Sequence, residues 1–339
     1  MGDDGVGGDA GVDPGDPPPD FTNGVSTLAG SFLAEYIDGP RDIARFNNPV
    51  NVQYRDGKIY VADFDNGKIR VVSPDGTTGT VVAQPDFFRP FGMTFADDGT
   101  LYVSTDKDQT GNLTPMSGVV WRIDIAARKA VVVKTNLGRP RGLAALPDGR
   151  IAMADHLHHV IQILDPRTGV VTPLAGTWDA KGMVDGVGAA ARFNKPYGMV
   201  VSLEGELIVS DFDNHRLRRV KLDGSTATLA GAGTAGFTDG GMQTAQFNHP
   251  QGMAIDGAGT IYVTDVENFR IRRIQGATVD TIAGDGTPGY LDNDNNLAGQ
   301  FYGLEGLSIT PDGNMLYLAD GNRGEAIPYN RVRQINLNQ

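Results

Sequence analysis

Six equivalent positions, one in each copy of a repeated block, carry side chains of different chemistry. Each position lies in the middle of a Pro-x-Gly triplet or of its counterpart in the first and last copies. The six residues are Val50, Phe91, Arg141, Tyr197, Gln251 and Glu305. A guanidinium, a phenol, an amide, a carboxylate and an aromatic ring can together hold a small polar ligand through hydrogen bonds and ring contacts.

Two further variable sets accompany these residues. One set follows the second apolar run in five of the six blocks and comprises Asp65, His156, Asp213, Glu267 and Arg323. The other immediately precedes the proline, or Leu304 in the last block, and comprises Asn48, Arg89, Arg139, Lys195, His249 and Gly303. If the protein is a catalyst, Arg141 could polarise a carbonyl while Tyr197 or Glu305 transfers a proton.

These positions recur because the chain is a tandem repeat. The triplets begin at positions 49, 90, 140, 196, 250 and 304, so successive copies lie 41 to 56 residues apart. Each copy holds three or four short apolar runs separated by Gly, Asp or Pro, and none of them has a helical period, which predicts strands. A repeat of this length is typical of propellers, so we predict an all-β fold, a six-bladed β-propeller.

The two ends of the repeat region complete one another. The fourth strand of several copies ends in Leu/Ile-Ala-Gly, and the same pattern precedes the first copy at residues 25–30, whereas the last copy stops after its third strand. We therefore predict that an N-terminal strand completes the C-terminal blade and that residues 24–339 form one domain. Such closure leaves no exposed sheet edge.

The repeat resembles a known family. Residues 211–217 resemble the NHL repeat, which is named for Asn-His-Leu, and the preceding loop with its Ala-x-Phe-Asn-x-Pro ending recurs at 29–49, 175–196 and 230–250. The resemblance covers about residues 24–337 and implies a six-bladed propeller. The chain also resembles six-bladed propeller lyases and lactonases, which rely on metals at the axis. The metal-ligand patterns of those enzymes do not match this sequence residue by residue.

In a propeller the first strand of each blade lies at the central axis. Strand alternation then places the Pro-x-Gly triplets and the connections between second and third strands on one face, which we call the mouth face. The residues that recur are predicted to be scaffold, with the repeated Asp side chains bonded to turn backbone. These are Asp63, Asp155, Asp211, Asp265 and Asp320. The residues that vary are predicted to bind the ligand.

Other features refine this picture. Insertions at 109–115 and between 320 and 330 are expected on the mouth face, beside a groove that is lower at blades 2 and 3. The outward-facing members of the basic runs 216–219 and 270–273 are expected to face solvent or to pair with carboxylates of neighbouring blades. Residues 292–296 have calcium-ligand chemistry but lack the glycine and glutamate of an EF-hand loop, so calcium is a weak cofactor hypothesis and no metal site is assigned.

Composition excludes several classes of function. A net charge of −12 and a pI of about 4.8 disfavour a nucleic-acid surface. Cysteine is absent, which excludes disulfides, and no apolar run is long enough to span a membrane. Residues 1–23 are predicted to be a disordered acidic Gly/Pro tether, of the kind that follows an export signal or a lipid anchor. We therefore predict an extracytoplasmic monomer, with a cytoplasmic protein carrying an acidic tail as the alternative.

Two functions from different classes fit these observations. The first is a non-enzymatic binding module that holds a small polar ligand, a glycan, a peptide or a protein on the mouth face. The second is a metal-dependent propeller enzyme, a lyase or a lactonase-like hydrolase. The chain has no Gly-x-Ser-x-Gly, phosphate-loop or His-Glu-x-x-His motif, which favours the binding module. A mouth of mixed side chains without any ligand is the third alternative.

Overall fold

The computed structural model describes residues 23–325, 327 and 329–338, so the predicted tether lies outside the described residues except for its last position. Within these ranges the chain forms six antiparallel sheets and four short 3-10 turns. The first strand of each sheet contacts the first strands of the two neighbouring sheets, and the ring closes between the first and sixth. The prediction of an all-β, six-bladed propeller is confirmed.

Blades 1 to 3 each contain four strands. Blade 1 comprises β2 (Pro49–Arg55), β3 (Lys58–Asp63), β4 (Lys68–Val72) and β5 (Thr78–Val82). Blade 2 comprises β6 (Pro90–Phe95), β7 (Leu101–Thr105), β8 (Gly118–Asp124) and β9 (Lys129–Leu137). Blade 3 comprises β10 (Pro140–Ala145), β11 (Ile151–Asp155), β12 (Val160–Asp165) and β13 (Val170–Ala175).

Blades 4 and 5 gain a two-residue outer strand from the preceding connection. Blade 4 comprises β14 (Gly186–Val187), β15 (Pro196–Val201), β16 (Leu207–Asp211), β17 (Arg216–Val220) and β18 (Ser225–Ala230). Blade 5 comprises β19 (Gly240–Gly241), β20 (Pro250–Ile255), β21 (Ile261–Asp265), β22 (Arg270–Gln275) and β23 (Thr278–Ala283). Blade 6 comprises β24 (Leu304–Ile309), β25 (Met315–Asp320), β26 (Asn330–Asn336) and β1 (Gly24–Ser31). The 3-10 turns are Gly188–Ala190, Phe212–Asn214, Val266–Asn268 and Asn296–Ala298.

The N-terminal strand closes the ring. Strand β1 pairs antiparallel with β26, in a register that places Val25 opposite Ile335 and Gly30 opposite Arg331. Val25 and Leu28 are almost completely buried, so this strand contributes apolar surface to the core as well as hydrogen bonds. The predicted completion of the last blade by the first strand is confirmed.

The glycines of the triplets let neighbouring first strands approach one another. A Cβ atom on Gly252 would lie 1.9 Å from the backbone oxygen of Glu305 in the next blade, and one on Gly142 would lie 1.9 Å from that of Tyr197. No side chain fits at such a distance, so glycine is required there. Thr264 adds a hydrogen bond from its hydroxyl to the same Glu305 oxygen, at 3.0 Å. The triplet glycine of the preceding blade thus lies against the backbone of four variable residues, which are Arg141, Tyr197, Gln251 and Glu305.

A buried ion pair supports the mouth face in four blades. In blade 5, Arg272 is fully buried and donates to Asp265 at the end of β21 and to Asp239 in the preceding connection, both at 2.7 Å. Phe237 and Phe247 both lie about 5 Å from its guanidinium carbon. Blades 1, 4 and 6 repeat the arrangement with Arg70, Arg218 and Arg333. The prediction for the basic runs concerned their outward-facing members, so the buried arginines are a finding of the structure.

Candidate functional site

The triplets of all six blades lie at the same end of the axis. Each first strand begins opposite the residue that ends its second strand, as Pro196 faces Asp211 and Pro250 faces Asp265. In blade 2 the partner is Thr105, and the insertion that follows it therefore leaves from the mouth face. The variable side chains and both connections thus share one surface of the propeller.

Five of the predicted site residues converge near the axis, together with one carboxylate that was not predicted. We call this group the axial cluster. It comprises Phe91, Asp106, Arg141, Tyr197, Gln251 and Glu305. Arg141 is at its centre, because it donates one hydrogen bond to the Tyr197 hydroxyl and another, at 2.6 Å, to Asp106. The remaining triplet residue, Val50, packs in the apolar core between blades 1 and 2.

The Asp106 carboxylate accepts hydrogen bonds from two arginines. It is 1% exposed and also accepts a hydrogen bond of 2.6 Å from Arg139, the residue that precedes the triplet of blade 3. Burial opposes ionisation of Asp106, but Arg141 and Arg139 outweigh it and lower the pKa of this carboxyl. One feature of the sequence could have pointed to Asp106. Blade 2 has Thr105 where the other blades have the recurrent Asp, and Asp106 is the next residue.

Aromatic rings form a continuous path across the mouth. The guanidinium carbon of Arg141 lies 4.1 Å from the centre of the Phe91 ring, in a cation–π contact. Tyr197 lies 5.8 Å from Phe91 on one side and 5.1 Å from Phe212 on the other, measured between ring centres. The path continues to His249, whose ring centre is 4.5 Å from that of Phe212.

Gln251 and Glu305, from blades 5 and 6, form a polar pair within the axial cluster. The amide nitrogen of Gln251 donates to the Glu305 carboxylate at 3.1 Å, and Glu305 is 8% exposed. Burial raises the pKa of Glu305 to about 7, although Arg141 and the Gln251 hydrogen bond oppose the shift. The carboxyl therefore changes its charge near neutral pH.

His156 lies beside Tyr197, with 5.2 Å between the ring centres, and its Nδ1 atom is 3.0 Å from the backbone oxygen of Arg139. Burial, reinforced by the nearby charge of Arg141, lowers the pKa of His156 to about 3. The imidazole is therefore neutral at physiological pH, and it contributes a ring face and a hydrogen bond to the mouth.

The other predicted residues form ion pairs on the rim of the mouth. Asp65 pairs with Arg89 of the next blade at 3.3 Å. Asp213 pairs with Lys195 at 3.0 Å. Glu267 pairs with Arg323 of the next blade. Two of these charge-balanced pairs link neighbouring blades, and the pair of Asp213 with Lys195 lies within blade 4. All three surround the axial cluster without joining it.

The calcium hypothesis concerns residues 292–296. Asp292 accepts hydrogen bonds from Arg333 at 2.7 Å and from the backbone of Thr27 at 2.9 Å, while Asn295 accepts one from the backbone of Leu297. These oxygens stabilise the junction with β1. Across the residues that the structure describes, no group of three or more His, Cys, Asp or Glu side chains is placed to hold a metal ion.

The opposite end of the axis contains a separate cavity of about 280 Å³. Its walls are the later residues of the first strands, among them Gln53, Tyr54, Thr94, Met199 and Ser308. Thr94 and Ser308 accept hydrogen bonds from backbone amides of the neighbouring blades. This end of the axis carries none of the predicted site residues, so it provides an internal control for any test of the mouth.

Comparison with known proteins agrees with the fold. Residues 247–274, in blade 5, match the NHL repeat family. The chain is 28% identical over 276 residues to protein SUPPRESSOR OF QUENCHING 1, chloroplastic, of Arabidopsis thaliana, covering 70% of this chain and 26% of that protein. It is 26% identical over 293 residues to NHL repeat-containing protein 2 of Gallus gallus, covering 69% of this chain and 40% of that protein.

These matches and the blade count together define the protein as a six-bladed β-propeller of repeated NHL type. The NHL repeat itself is matched in blade 5, and the curated relatives of Gallus gallus and Bos taurus are NHL repeat-containing proteins. It spans about a quarter to two fifths of the length of the curated relatives that it matches.

Solved structures show the same architecture at low identity. An auxiliary nutrient binding protein from Bacteroides thetaiotaomicron superposes with a TM-score of 0.72 at 17% identity, covering 91% of this chain and 75% of that chain. Virginiamycin B lyase from Staphylococcus aureus superposes with a TM-score of 0.52 at 13% identity, covering 87% and 84%. At such identities the likeness concerns the fold alone. Among the described residues, no helix is long and apolar enough to cross a membrane.

Proposed function

We propose that this propeller is a binding module that holds a small polar ligand, a glycan or a peptide on its mouth face. The observation that carries the proposal is the axial cluster, in which side chains from five blades lie together at the axis. Arg141 and Tyr197 are still partly exposed there, so a ligand can reach them from the mouth. The name of the Bacteroides neighbour, an auxiliary nutrient binding protein, supports a binding role.

The variable residues suit ligand binding for two reasons. Their side chains differ in chemistry, and their backbone is restrained by neighbouring blades. The close approach of neighbouring first strands fixes the backbone of Arg141, Tyr197, Gln251 and Glu305, so little conformational entropy is lost when a ligand contacts these side chains. The aromatic path offers ring faces for stacking, and Gln251 and Glu305 offer hydrogen-bond partners. This combination is typical of concave sites that recognise small molecules.

A ligand screen with one matched pair of variants tests the proposal. Monosaccharides, oligosaccharides, amino acids and short peptides are screened by thermal shift, and each hit is titrated by calorimetry. Tyr197→Phe removes a hydroxyl at the mouth, and Tyr54→Phe removes one at the opposite cavity. We expect Tyr197→Phe to weaken binding on the order of tenfold and Tyr54→Phe to leave it unchanged. The reverse result would place the site at the other end and overturn the proposal.

The enzyme alternative has one observation in its favour. Glu305 has a pKa near neutrality, which suits proton transfer, and it lies in the same recess as Arg141. Hydrolysis of glucono-δ-lactone provides a direct assay. Turnover that is lost in Glu305→Gln and kept in the rim variant Glu267→Gln would favour a catalyst over a binding module.

We also propose that the protein acts outside the cytoplasm, on a tether formed by residues 1–23. The support is the acidic Gly/Pro composition of that segment. Protease treatment of intact cells that make the native chain tests this proposal. Cleavage of the tether at the cell surface, or recovery of the protein from the medium, is the expected result, and full protection in intact cells would contradict it.

A further inference from the structure

The structure points to the charge of the ligand. We propose that the mouth binds a small organic acid, a molecule that carries one carboxylate on a ring or on another apolar body. This inference rests on the proposed function, because it uses the same site, and it adds the chemical class of the ligand. It is carried by an excess of positive charge around Asp106, where Arg139 joins the axial cluster and Glu305 is uncharged below neutral pH, in a chain whose net charge is −12.

The excess arises because two arginines share one carboxylate. Arg139 and Arg141 both contact Asp106, each at 2.6 Å. The rim pairs are different, since Arg89 has Asp65, Lys195 has Asp213 and Arg323 has Glu267. Within the part of the mouth that the structure describes, Asp106 is the one carboxylate that two guanidinium groups contact.

The two arginines keep hydrogen-bond donors that the protein does not use. A guanidinium has five N–H donors, and the bonds to Asp106 and Tyr197 use one from Arg139, on Nη2, and two from Arg141, on Nη1 and Nη2. The Nε atoms are buried, so the remaining N–H groups on the Nη atoms are the ones that a ligand can meet. The side chain of Arg139 is 18% exposed and that of Arg141 is 16% exposed, so both reach the surface of the mouth. A guanidinium binds a carboxylate well, because its donors match the two oxygens in spacing and direction.

The aromatic path provides the surface for the body of the acid. The guanidinium carbon of Arg141 lies over the Phe91 ring, 4.1 Å from its centre. Tyr197 and Phe212 extend from there across the mouth, with 5.1 Å between their ring centres. A ring attached to the carboxylate can therefore pack on aromatic side chains while the carboxylate meets the arginines.

Glu305 makes this binding sensitive to pH. The charged groups near it are Arg141, Arg323 and Asp106, and Gln251 donates to it directly. A bound carboxylate next to Arg141 disfavours ionisation of Glu305, because two negative charges would then share one recess. Since the pKa of Glu305 is already about 7, binding of an acid is expected to take up a proton between pH 7 and 8.

Paired probes that differ only in charge test the inference. Benzoate is compared with benzamide, and glucuronate with glucose, at up to 100 mM and constant ionic strength, by thermal shift and calorimetry at pH 6.0 and 8.5. We expect the acid of at least one pair to bind at pH 6.0 at least tenfold more tightly than its neutral partner, and to bind more weakly at pH 8.5. In Glu305→Gln the difference between the two pH values is expected to disappear.

Three variants test whether the arginines that contact Asp106 bind the carboxylate of the ligand. Arg139→Gln is expected to weaken binding of the acid on the order of tenfold, whereas the matched rim variant Arg89→Gln, which also precedes a proline, should change it less than twofold. Asp106→Asn removes the competing carboxylate and should strengthen binding. This opposite sign separates recognition of charge from a loss of folding, which the melting temperature of each variant reports independently.

The outcomes distinguish this inference from the proposed function. If the neutral probes bind as tightly as the acids and Tyr197→Phe weakens them, the mouth is a binding site and the inference about charge is wrong. If an acid binds but Tyr54→Phe weakens it and the mouth variants do not, both proposals are wrong. Failure of every acid to raise the melting temperature at 100 mM and pH 6.0 also overturns the inference.

Discussion

Replacement of Glu305 by Gln should stabilise the protein at high pH and leave it unchanged at low pH. The substitution keeps the shape of the side chain and an oxygen that can accept the Gln251 hydrogen bond. It removes only the ability to ionise. Because the carboxyl is 8% exposed, its charge is poorly solvated whenever it forms, and glutamine avoids that cost.

The sign and size follow from the pKa in the two states. In the folded protein the pKa of Glu305 is about 7, and its ordinary value, expected after unfolding, is 4.5. The folded state therefore binds the proton more tightly, and the stability from this group is fully present below pH 4.5 and is lost as the pH rises to 7. This difference corresponds to about 3 kcal/mol above pH 7, or roughly 4 °C in melting temperature for a domain of this size.

Urea unfolding of both proteins at half-unit steps from pH 4.5 to 8.5 measures the effect. The gain of Glu305→Gln over the natural protein should be near zero at pH 4.5 and should reach its maximum above pH 7. Asp294→Asn, at an exposed carboxylate, serves as the control and should show no such trend. A gain that is constant across the range, or a loss above pH 7, would refute the reasoning that burial controls the ionisation of Glu305.

Three other predictions concern the scaffold. Leu28→Ala, in the closing strand, should lower the free energy of unfolding by about 2–5 kcal/mol, because it removes a fully buried side chain where the ring is joined. Gly252→Ala should destabilise strongly or prevent folding, because the new Cβ atom would lie 1.9 Å from a backbone oxygen of the next blade. Arg272→Met should cost about 3–5 kcal/mol, because it leaves a buried carboxylate unpaired. Chemical denaturation measures all three, with Gly257→Ala and Arg219→Met as controls at open positions.

Each of these has a clear contrary result. A melting curve for Leu28→Ala that matches the natural protein would show that β1 is not needed to close the ring. Equal stability of the alanine variants at 252 and 257 would contradict the close approach of first strands. A neutral effect of Arg272→Met would mean that Asp265 and Asp239 do not depend on the arginine.

The architecture could be predicted from the sequence because the residues that each blade requires recur in several copies of the repeat. Glycine recurs in the triplets because the next blade leaves no room for a Cβ atom, and Asp recurs at the end of the second strand because it bonds turn backbone. The closing strand could be recognised because residues 25–30 repeat the pattern of the fourth strands. In each case a single copy is ambiguous, and agreement among copies removes the ambiguity.

The sequence indicated which triplet side chains lie near the axis, but neither Asp106 nor the contacts among these residues. Because the fold places equivalent positions on one ring, the convergence of Arg141, Tyr197 and Glu305 could be expected from their place in the triplets. The sequence could not show that Arg141 bonds Tyr197 and Asp106 while Glu305 bonds Gln251. Those choices depend on distances of a few tenths of an ångström between side chains from different blades.

Asp106 and Arg272 show most clearly what only the tertiary structure decided. Asp106 occupies a position one residue beyond the repeated Asp, so no repeat marks it, and its partners lie 33 and 35 residues away in the next blade. Arg272 belongs to a basic run that suggests a solvated strand, yet it is fully buried between two carboxylates. The sequence by itself determined the ring and the order of its side chains, because repetition encodes local geometry. The charge and burial of the mouth depend on contacts between blades, which no single repeat contains.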